Sequence, residues 1–290
     1  MSISQNKMNK WLLRIGVSIL LLVFAGLIVL GYSYFIEPRL LTLKKAELKI
    51  PRWSKSLDGF KVVAISDIHA GSNGVTEKRL DELVENANAQ KPDLIVLLGD
   101  FISERNSGGS GLKIPVEKIA KKLAGFRAKY GVFAVIGNHD WWYDEKKITL
   151  ELEKNGIEVL ENRVKEIRVN GEVINLWGIE DYWKKHRVPT VQSYDLIQNK
   201  INIIALTHNP DSLLKAPNEI STMIAGHSHG GQIKFPFYGA YPFVNDGRFM
   251  EGEAIVDGKH VFVTTGVGTS GPPIRFRVPP EIAVLELYSE

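Results

Sequence analysis

Five short polar blocks could do chemistry together: Asp67-x-His69, Gly99-Asp100, Gly137-Asn138-His139-Asp140, His208 and Gly226-His227-x-His229. They hold five of the chain's seven histidines, a concentration that chance placement would scatter. The chain has no cysteine, which excludes disulfides, thiolate metal sites and cysteine nucleophiles, so any metal must be held by nitrogen and oxygen. Carboxylate, imidazole and amide oxygen suit Mn, Zn, Fe, Co or Ni, whereas a lone Ca or Mg site would avoid so many imidazoles. The ligand count allows two ions. Taken singly, each block has a plain structural explanation. Asp67 and Asp100 are of a type that caps helices or closes turns after strands. Asn138, after a glycine, suits a left-handed turn, and His208 before Asn209-Pro210 could be an ordinary loop histidine.

The blocks share a position in the chain's alternation of elements. "KVVAIS" (61–66), "DLIVLLGD" (93–100), "VFAVIGNHD" (132–140), "INIIALTHNP" (201–210) and "STMIAGHSHGG" (221–231) each read as a buried strand that ends in polar residues. Open α/β sheets build their sites at such strand ends. Between them, Thr76 is placed to cap a helix with Leu80, Leu83, Val84 and Ala87 on one face. A Gly/Ser-rich loop, "SERNSGGSG" (103–111), leads to a second amphipathic helix around Val116, Ile119, Leu123 and Phe126. Asn170-Gly171 and Asp257-Gly258 sit between β-patterned runs and predict two hairpins. No internal repeat or interdomain linker stands out.

Ahead of this domain, Ile15 to Ile36 runs for 22 residues without a charge, about 33 Å of helix and enough to cross a bilayer. No small-residue cleavage site follows it, so the reading is an uncleaved single-pass anchor. The expected organisation is a basic tail at 1–14, a transmembrane helix at 15–36, a juxtamembrane connector at 37–58 and one catalytic domain at 59–290. Residues 1–60 carry nine Lys/Arg against three Asp/Glu, while the rest of the chain carries a small net negative charge. That distribution disfavours nucleic acid as a partner, since a nucleic-acid binder would carry its basic face on the folded domain. Six basic residues follow the span within about 20 residues, which argues for a cytosolic domain. A short basic leader also precedes exported domains, and the side of the membrane stays open.

In their order and completeness the five blocks resemble the calcineurin-like metallophosphoesterases. The N-terminal anchor, "THNPD" around His208 and the late "GTSGPPIRFRVPPEI" (268–282) are similar to the bacterial membrane-anchored YkuE/YaeI-like phosphodiesterase subgroup. The resemblance implies an α/β fold, a four-layer α-β-β-α sandwich of two mixed sheets, with the transmembrane helix added. It implies two divalent metal ions: Asp67, His69 and His229 on the first, Asn138, His208 and His227 on the second, and Asp100 bridging both. A metal-bridging hydroxide would attack phosphorus. His139 would be the catalytic acid, giving a proton to the leaving oxygen. Asp140 receives no role beyond orienting a neighbour.

The implied activity is that of a membrane-anchored phosphohydrolase of the bacterial inner membrane, acting on a phosphodiester or pyrophosphate that could be lipid-linked. A narrower alternative is a UDP-2,3-diacylglucosamine pyrophosphatase of lipid A synthesis. A non-catalytic metal-dependent scaffold would be expected to have lost ligands or the acid histidine, and all are present. Other stretches have two readings each. Trp141-Trp142-Tyr143 could wall the site or pack the core. "YWKKHR" (182–187) could be a lid or a solvated loop, and "FPFYGAYPF" (235–243) could contact a lipid or frame the cleft. Arg275 and Arg277 are candidate phosphate contacts, and His186 and His260 are surface or packing residues.

Overall fold

The computed structural model describes residues 2–103, 112–184, 191–240, 244 and 246–290. Most of the Gly/Ser-rich loop, His186 with its basic neighbours and Tyr241–Phe243 fall outside them. The first element is a long helix, α1 (Ser2–Phe35). It is long and apolar enough to cross a membrane, with none of its most apolar stretch buried against the protein. Two six-stranded mixed sheets follow.

The first sheet contains β1 (Thr42–Ile50), β2 (Phe60–Ile65), β3 (Leu94–Leu97), β4 (Val132–Ala134), β5 (Glu158–Val159) and the last strand, β14 (Glu281–Ser289). Its order is β1-β14-β2-β3-β4-β5, and β2 to β5 are all parallel. The helices α2 (Glu77–Ala89), α3 (Val116–Leu123) and α4 (Asn138–Lys154) cover its outer face. As the sequence predicts, Thr76 caps α2 by accepting from the Arg79 amide, and Leu80, Leu83 and Ala87 are buried.

The second sheet runs β12-β13-β9-β8-β7-β6, built from β6 (Arg163–Val169), β7 (Glu172–Gly178), β8 (Ile203–Leu206), β9 (Thr222–Ala225), β12 (Gly252–Val256) and β13 (Lys259–Val263). A small hairpin, β10 (Lys234–Phe235) with β11 (Gly239–Ala240), stands outside both sheets. The predicted hairpins are present. β6 pairs antiparallel with β7 across Asn170-Gly171, and β12 with β13 across Asp257-Gly258. All four turn residues have positive φ, the geometry that the right-handed strand twist favours and that Asn-Gly and Asp-Gly tolerate.

One apolar layer lies between the sheets, including Val62, Val96 and Leu285 from the first and Leu176, Leu206 and Phe262 from the second. The outer face of the second sheet buries Trp177, Met223 and Val261 against Tyr194, Leu213 and Phe249. Those three side chains come from short 3-10 turns, so among the described residues the fourth layer is made of turns rather than long helices. His260 is buried, between Thr222 and Glu253, as a packing residue.

The stretch expected to be a connector is partly sheet. Thr42–Ile50 pairs parallel with β14 over its whole length and buries Leu48 and Ile50 completely. Only Ala46, Leu48 and Ile50 face inward and the other six residues are exposed, so "TLKKAELKI" carries a weak strand signal. The partner is supplied from the opposite end of the chain, which local patterning does not reveal. Burying two such side chains contributes about 3–6 kcal/mol. A chain that starts at residue 59 is therefore expected to melt on the order of 10 °C below one that starts at residue 41, measured by calorimetry. Equal melting temperatures would show that β1 is dispensable.

Candidate metal centre

The first sheet delivers Asp67 and His69 after β2, Asp100 after β3, and Asn138 at the start of α4 after β4. The second delivers His208 after β8, with His227 and His229 after β9. All seven side chains are buried, so the sequence-predicted ligands meet at the ends of strands from both sheets. Asp100 Oδ2 lies 3.4 Å from His69 Nε2 and 3.4 Å from His208 Nε2. His229 Nε2 is 3.3 Å from Asp67 Oδ1 and 3.3 Å from His69 Nε2. His208 Nε2 also faces Asn138 Oδ1 at 3.0 Å and His227 Nδ1 at 3.1 Å.

The backbone bends sharply to present these groups. Asp67, His69, Asp100, His227 and His229 all have φ between 42° and 67°, left-handed backbone that a non-glycine residue rarely adopts. Such strain clusters at functional sites, where the surrounding structure over-determines it. Two glycines make room for the carboxylates. A Cβ on Gly137 would collide with the side chain and amide of Asp100, and one on Gly226 with Ser66 and Asp67.

The protonation pattern tests the fit to metal. His69 Nδ1 is 3.1 Å from the Ile102 carbonyl and His208 Nδ1 is 2.7 Å from the Leu98 carbonyl. A carbonyl only accepts, so each Nδ1 carries a proton, and in the neutral ring each Nε2 holds a lone pair. Those lone pairs point at carboxylate and amide oxygens, which are also acceptors. Asp67 Oδ1 accepts no hydrogen bond among the described residues. Buried acceptors facing acceptors are unfavourable unless a cation lies between them. Asp67, His69 and His229 place ligand atoms within 4.8 Å of one another, and so do Asp67, Asp100 and His208. The donor set therefore fits divalent metal.

Electrostatics agree. Burial lowers the pKa of His69 to about 4, which keeps it neutral and able to ligate. Burial, His69 and Arg275 hold His229 well below the usual value. Burial pushes Asp67 up to about 6, with the Asp100 charge adding to it. Burial also opposes charge on Asp100 and on His208, but their mutual attraction outweighs it: Asp100 is held well below the carboxylate range and His208 well above the imidazole range. The centre demands positive charge, which a proton on His208 Nε2 supplies at the same atom that would ligate a cation.

His139 differs from the other four histidines in being only partly buried. Its Nε2 is 3.2 Å from Ser270 Oγ and its ring lies edge-on to those of His69 and Trp142. It lines a cavity of about 690 Å³ that also touches His69. Trp142 and Trp183 stack on one another, and Trp183 sets its edge against His227, so these two rings wall the site while Trp141 packs on the core.

Two assignments change. Arg275, expected as a phosphate contact, is fully buried and donates to the carbonyls of Thr265, Gly266, Gly268 and Val278. It braces the loop behind Asp67 and His229 and does not reach solvent. Arg277 is exposed, one turn residue away from the buried Val278. Asp140, given almost no role by the sequence, accepts from the amides of Asp100, Phe101 and Gly137 at 2.7, 2.9 and 3.0 Å. It ties the end of β3 to the start of α4, and so fixes Asp100 relative to Asn138. Its signal was adjacency to Asn138 and His139, but two of its three partners lie 40 and 39 residues away.

Residues 60–231 match the family model described as "Calcineurin-like phosphoesterase", and the chain belongs to that family. It is 30% identical over 267 residues to "Phosphodiesterase YaeI" of Escherichia coli, covering 89% of this chain and 92% of that protein. It is 28% identical over 264 residues to "Uncharacterized metallophosphoesterase YkuE" of Bacillus subtilis, covering 89% and 90%. The chain is a metal-dependent phosphoesterase. The phosphopantetheinyl hydrolase structure from Mycobacterium tuberculosis superposes with a TM-score of 0.43 at 13% identity, covering 75% of this chain and 96% of that one.

The bracing by Asp140 yields a measurable expectation. Asp140→Asn puts an amide NH2 against backbone amides and should weaken Mn binding about 10–100-fold, the usual cost of losing a group that orients ligands. Calorimetric titration checks this, and unchanged affinity would reduce Asp140 to a helix cap.

Proposed function

We propose that this chain is a membrane-anchored, dinuclear-metal phosphohydrolase that cleaves a phosphodiester or pyrophosphate. The observation that carries the reading is Asp100, whose Oδ2 sits equally far from His69 Nε2 and His208 Nε2. One carboxylate is thereby placed to serve two ligand sets: Asp67, His69 and His229 on one side, Asn138, His208 and His227 on the other. Cations bound there would lower the pKa of a shared water to near neutrality and stabilise the attacking and leaving oxygens.

The protein's own groups do the rest. His139, beside the cluster and open to the cavity, donates a proton to the leaving oxygen, and Ser270 orients its ring through Nε2. The Asp100 carboxylate accepts from the His139 amide at 2.9 Å, which registers the acid against the bridging ligand. Trp142 and Trp183 exclude water from one side. Membrane anchoring rests on α1, and the contacts at its C-terminal end argue against removal as a signal: Ser33, Glu37 and Pro38 are buried in the domain. No feature among the described residues favours the narrower diacylglucosamine pyrophosphatase reading, and we do not adopt it.

The full chain loaded with Mn is expected to hydrolyse bis-p-nitrophenyl phosphate and to lose that activity to EDTA. Asp100→Asn should lose metal and rate together. His139→Ala should keep its metal content by elemental analysis while kcat drops roughly 10²–10⁴-fold. Full activity in His139→Ala would refute the acid assignment, and a metal-loaded wild type that cleaves no phosphodiester would refute the enzyme reading.

A further inference from the structure

The cavity beside His69 and His139 is not lined by the catalytic domain alone. Tyr34, from the last turn of α1, and Arg39, just beyond it, form part of its wall, with Asn73, Lys113 and Pro273. The charge-free span ends at Ile36. A helix that crosses the bilayer over 15–36 therefore leaves Tyr34 at the interface and Arg39 among the head groups, where Tyr and Arg are favoured.

The end of α1 is also clamped. Its terminal carbonyls, which no helical amide can reach, are taken up by the domain: the Arg275 amide donates to Ser33 O at 3.0 Å and Asn73 Nδ2 to Tyr34 O at 2.7 Å. Arg39 Nη1 donates to Tyr34 O and Phe35 O, both at 2.9 Å, and its Nη2 to Asn73 Oδ1 at 3.0 Å. Glu37 accepts from the Val278 amide at 2.6 Å. Asn73 and Arg275 belong to the same loops that reach the cavity and the centre. The anchor thus fixes the distance and direction from the bilayer to the cluster.

A second feature leaves the domain beside this clamp. Ile233 bridges Phe276, the neighbour of Arg275, and the β10–β11 hairpin that follows carries Phe237 and Tyr238 almost wholly exposed at its tip. Leu40 and Leu43, just after the helix, are exposed too. Apolar side chains in this number beside the end of a spanning helix fit the interfacial layer of a membrane.

We infer that the substrate is a phosphodiester lipid lying in the same leaflet, drawn into a cleft whose outer wall is the end of the anchor. This rests on the phosphohydrolase reading and adds where the substrate resides. The lipid's acyl chains stay beside Tyr34 and Ile36, while its anionic head group passes Arg39 and Lys113 towards the cluster. Water adds to phosphorus, the bond from phosphorus to one ester oxygen breaks, and that oxygen leaves with a proton. The products are a phosphomonoester and an alcohol, one of which remains in the bilayer.

The test compares two substrates with one leaving group. Full-length, Mn-loaded protein is reconstituted into phosphatidylcholine vesicles and given either water-soluble bis-p-nitrophenyl phosphate or bilayer-embedded dioleoyl phosphatidyl-p-nitrophenol. The expected result is a kcat/KM at least ~10-fold higher for the embedded diester, reflecting its pre-set orientation. A ten-residue Gly/Ser insertion after Gly31 leaves residues 15–31 as a shorter apolar helix of about 26 Å, still in the range that spans, and frees the clamped turn from the bilayer. It should remove that preference and leave the soluble diester turning over within about 2-fold of wild type. Should the insertion fail to fold, Phe237→Ser with Tyr238→Ser offers a variant outside both sheets, in which the ratio of embedded to soluble turnover should fall at least ~3-fold. Cleavage of the soluble diester without preference for the embedded one overturns this inference alone. A preference that survives both variants overturns the clamped-cleft argument, and cleavage of neither substrate overturns the phosphohydrolase reading beneath it.

Discussion

Everything in the catalytic half of the molecule answers to one unfavourable contact: lone pairs of buried histidines turned towards buried carboxylates. Backbone carbonyls at Leu98 and Ile102 hold the Nδ1 protons of His208 and His69, so the contact is relieved only by added positive charge at Nε2, a proton on His208 or a cation. Asp100 stands in the middle with its charge enforced by the histidines on either side. A cluster built this way has a low-energy state only when positive charge occupies it. Its residues are therefore better understood as a template for cations than as a packed polar core.

Holding such a template has a cost that the scaffold must offset. Five residues of the cluster sit in left-handed backbone, each at about 1–3 kcal/mol. The offset comes from the continuous apolar layers on both faces of each sheet, which pin the strands whose ends carry the ligands. Asp140 adds a local fastening by gathering three amides from two loops onto one carboxylate. Because Asp67, Asp100 and Asn138 come from one sheet and His208, His227 and His229 from the other, the apolar layer between the sheets sets the width of the site. A slip of one sheet over the other would pull each of the two sets apart, since each draws residues from both sheets, while leaving each sheet intact.

This division explains what the sequence disclosed and what it withheld. Ligand types, their place after apolar runs and the Asn-Gly and Asp-Gly turns are local properties, and the structure has them where the sequence puts them. The pairing of His227 and His229 with opposite ends of the cluster is not local, and the sequence offered it only through the family resemblance. His227 faces His208 and His229 faces His69, a divergence that follows from left-handed backbone at both residues. β1 escaped notice because six of its nine residues are exposed and its partner strand lies more than 230 residues away. Arg275 was misjudged for a related reason: an arginine in an exposed-looking, proline-rich stretch gives no sign that four carbonyls will surround it. Asp140 was undervalued because its worth lies in amides contributed by a different strand.

The same distinction bears on the basic residues after the span. Arg39 caps the helix end through Tyr34 O and Phe35 O, and Arg52 donates to Asn218 O at 2.6 Å. Two of the six cations that a charge count would read as a topology signal therefore have structural partners. Lys44, Lys45 and Lys49 lie exposed along β1, on the strand that begins just past the helix end. There, exposed lysine on an edge strand also blunts unwanted strand pairing. A charge count that treats all six alike overstates the evidence for a cytosolic domain. The contacts at the helix end are independent of that choice: the clamp at Ser33 to Arg39 holds the end of α1 beside the same cleft whichever side of a membrane the domain would occupy.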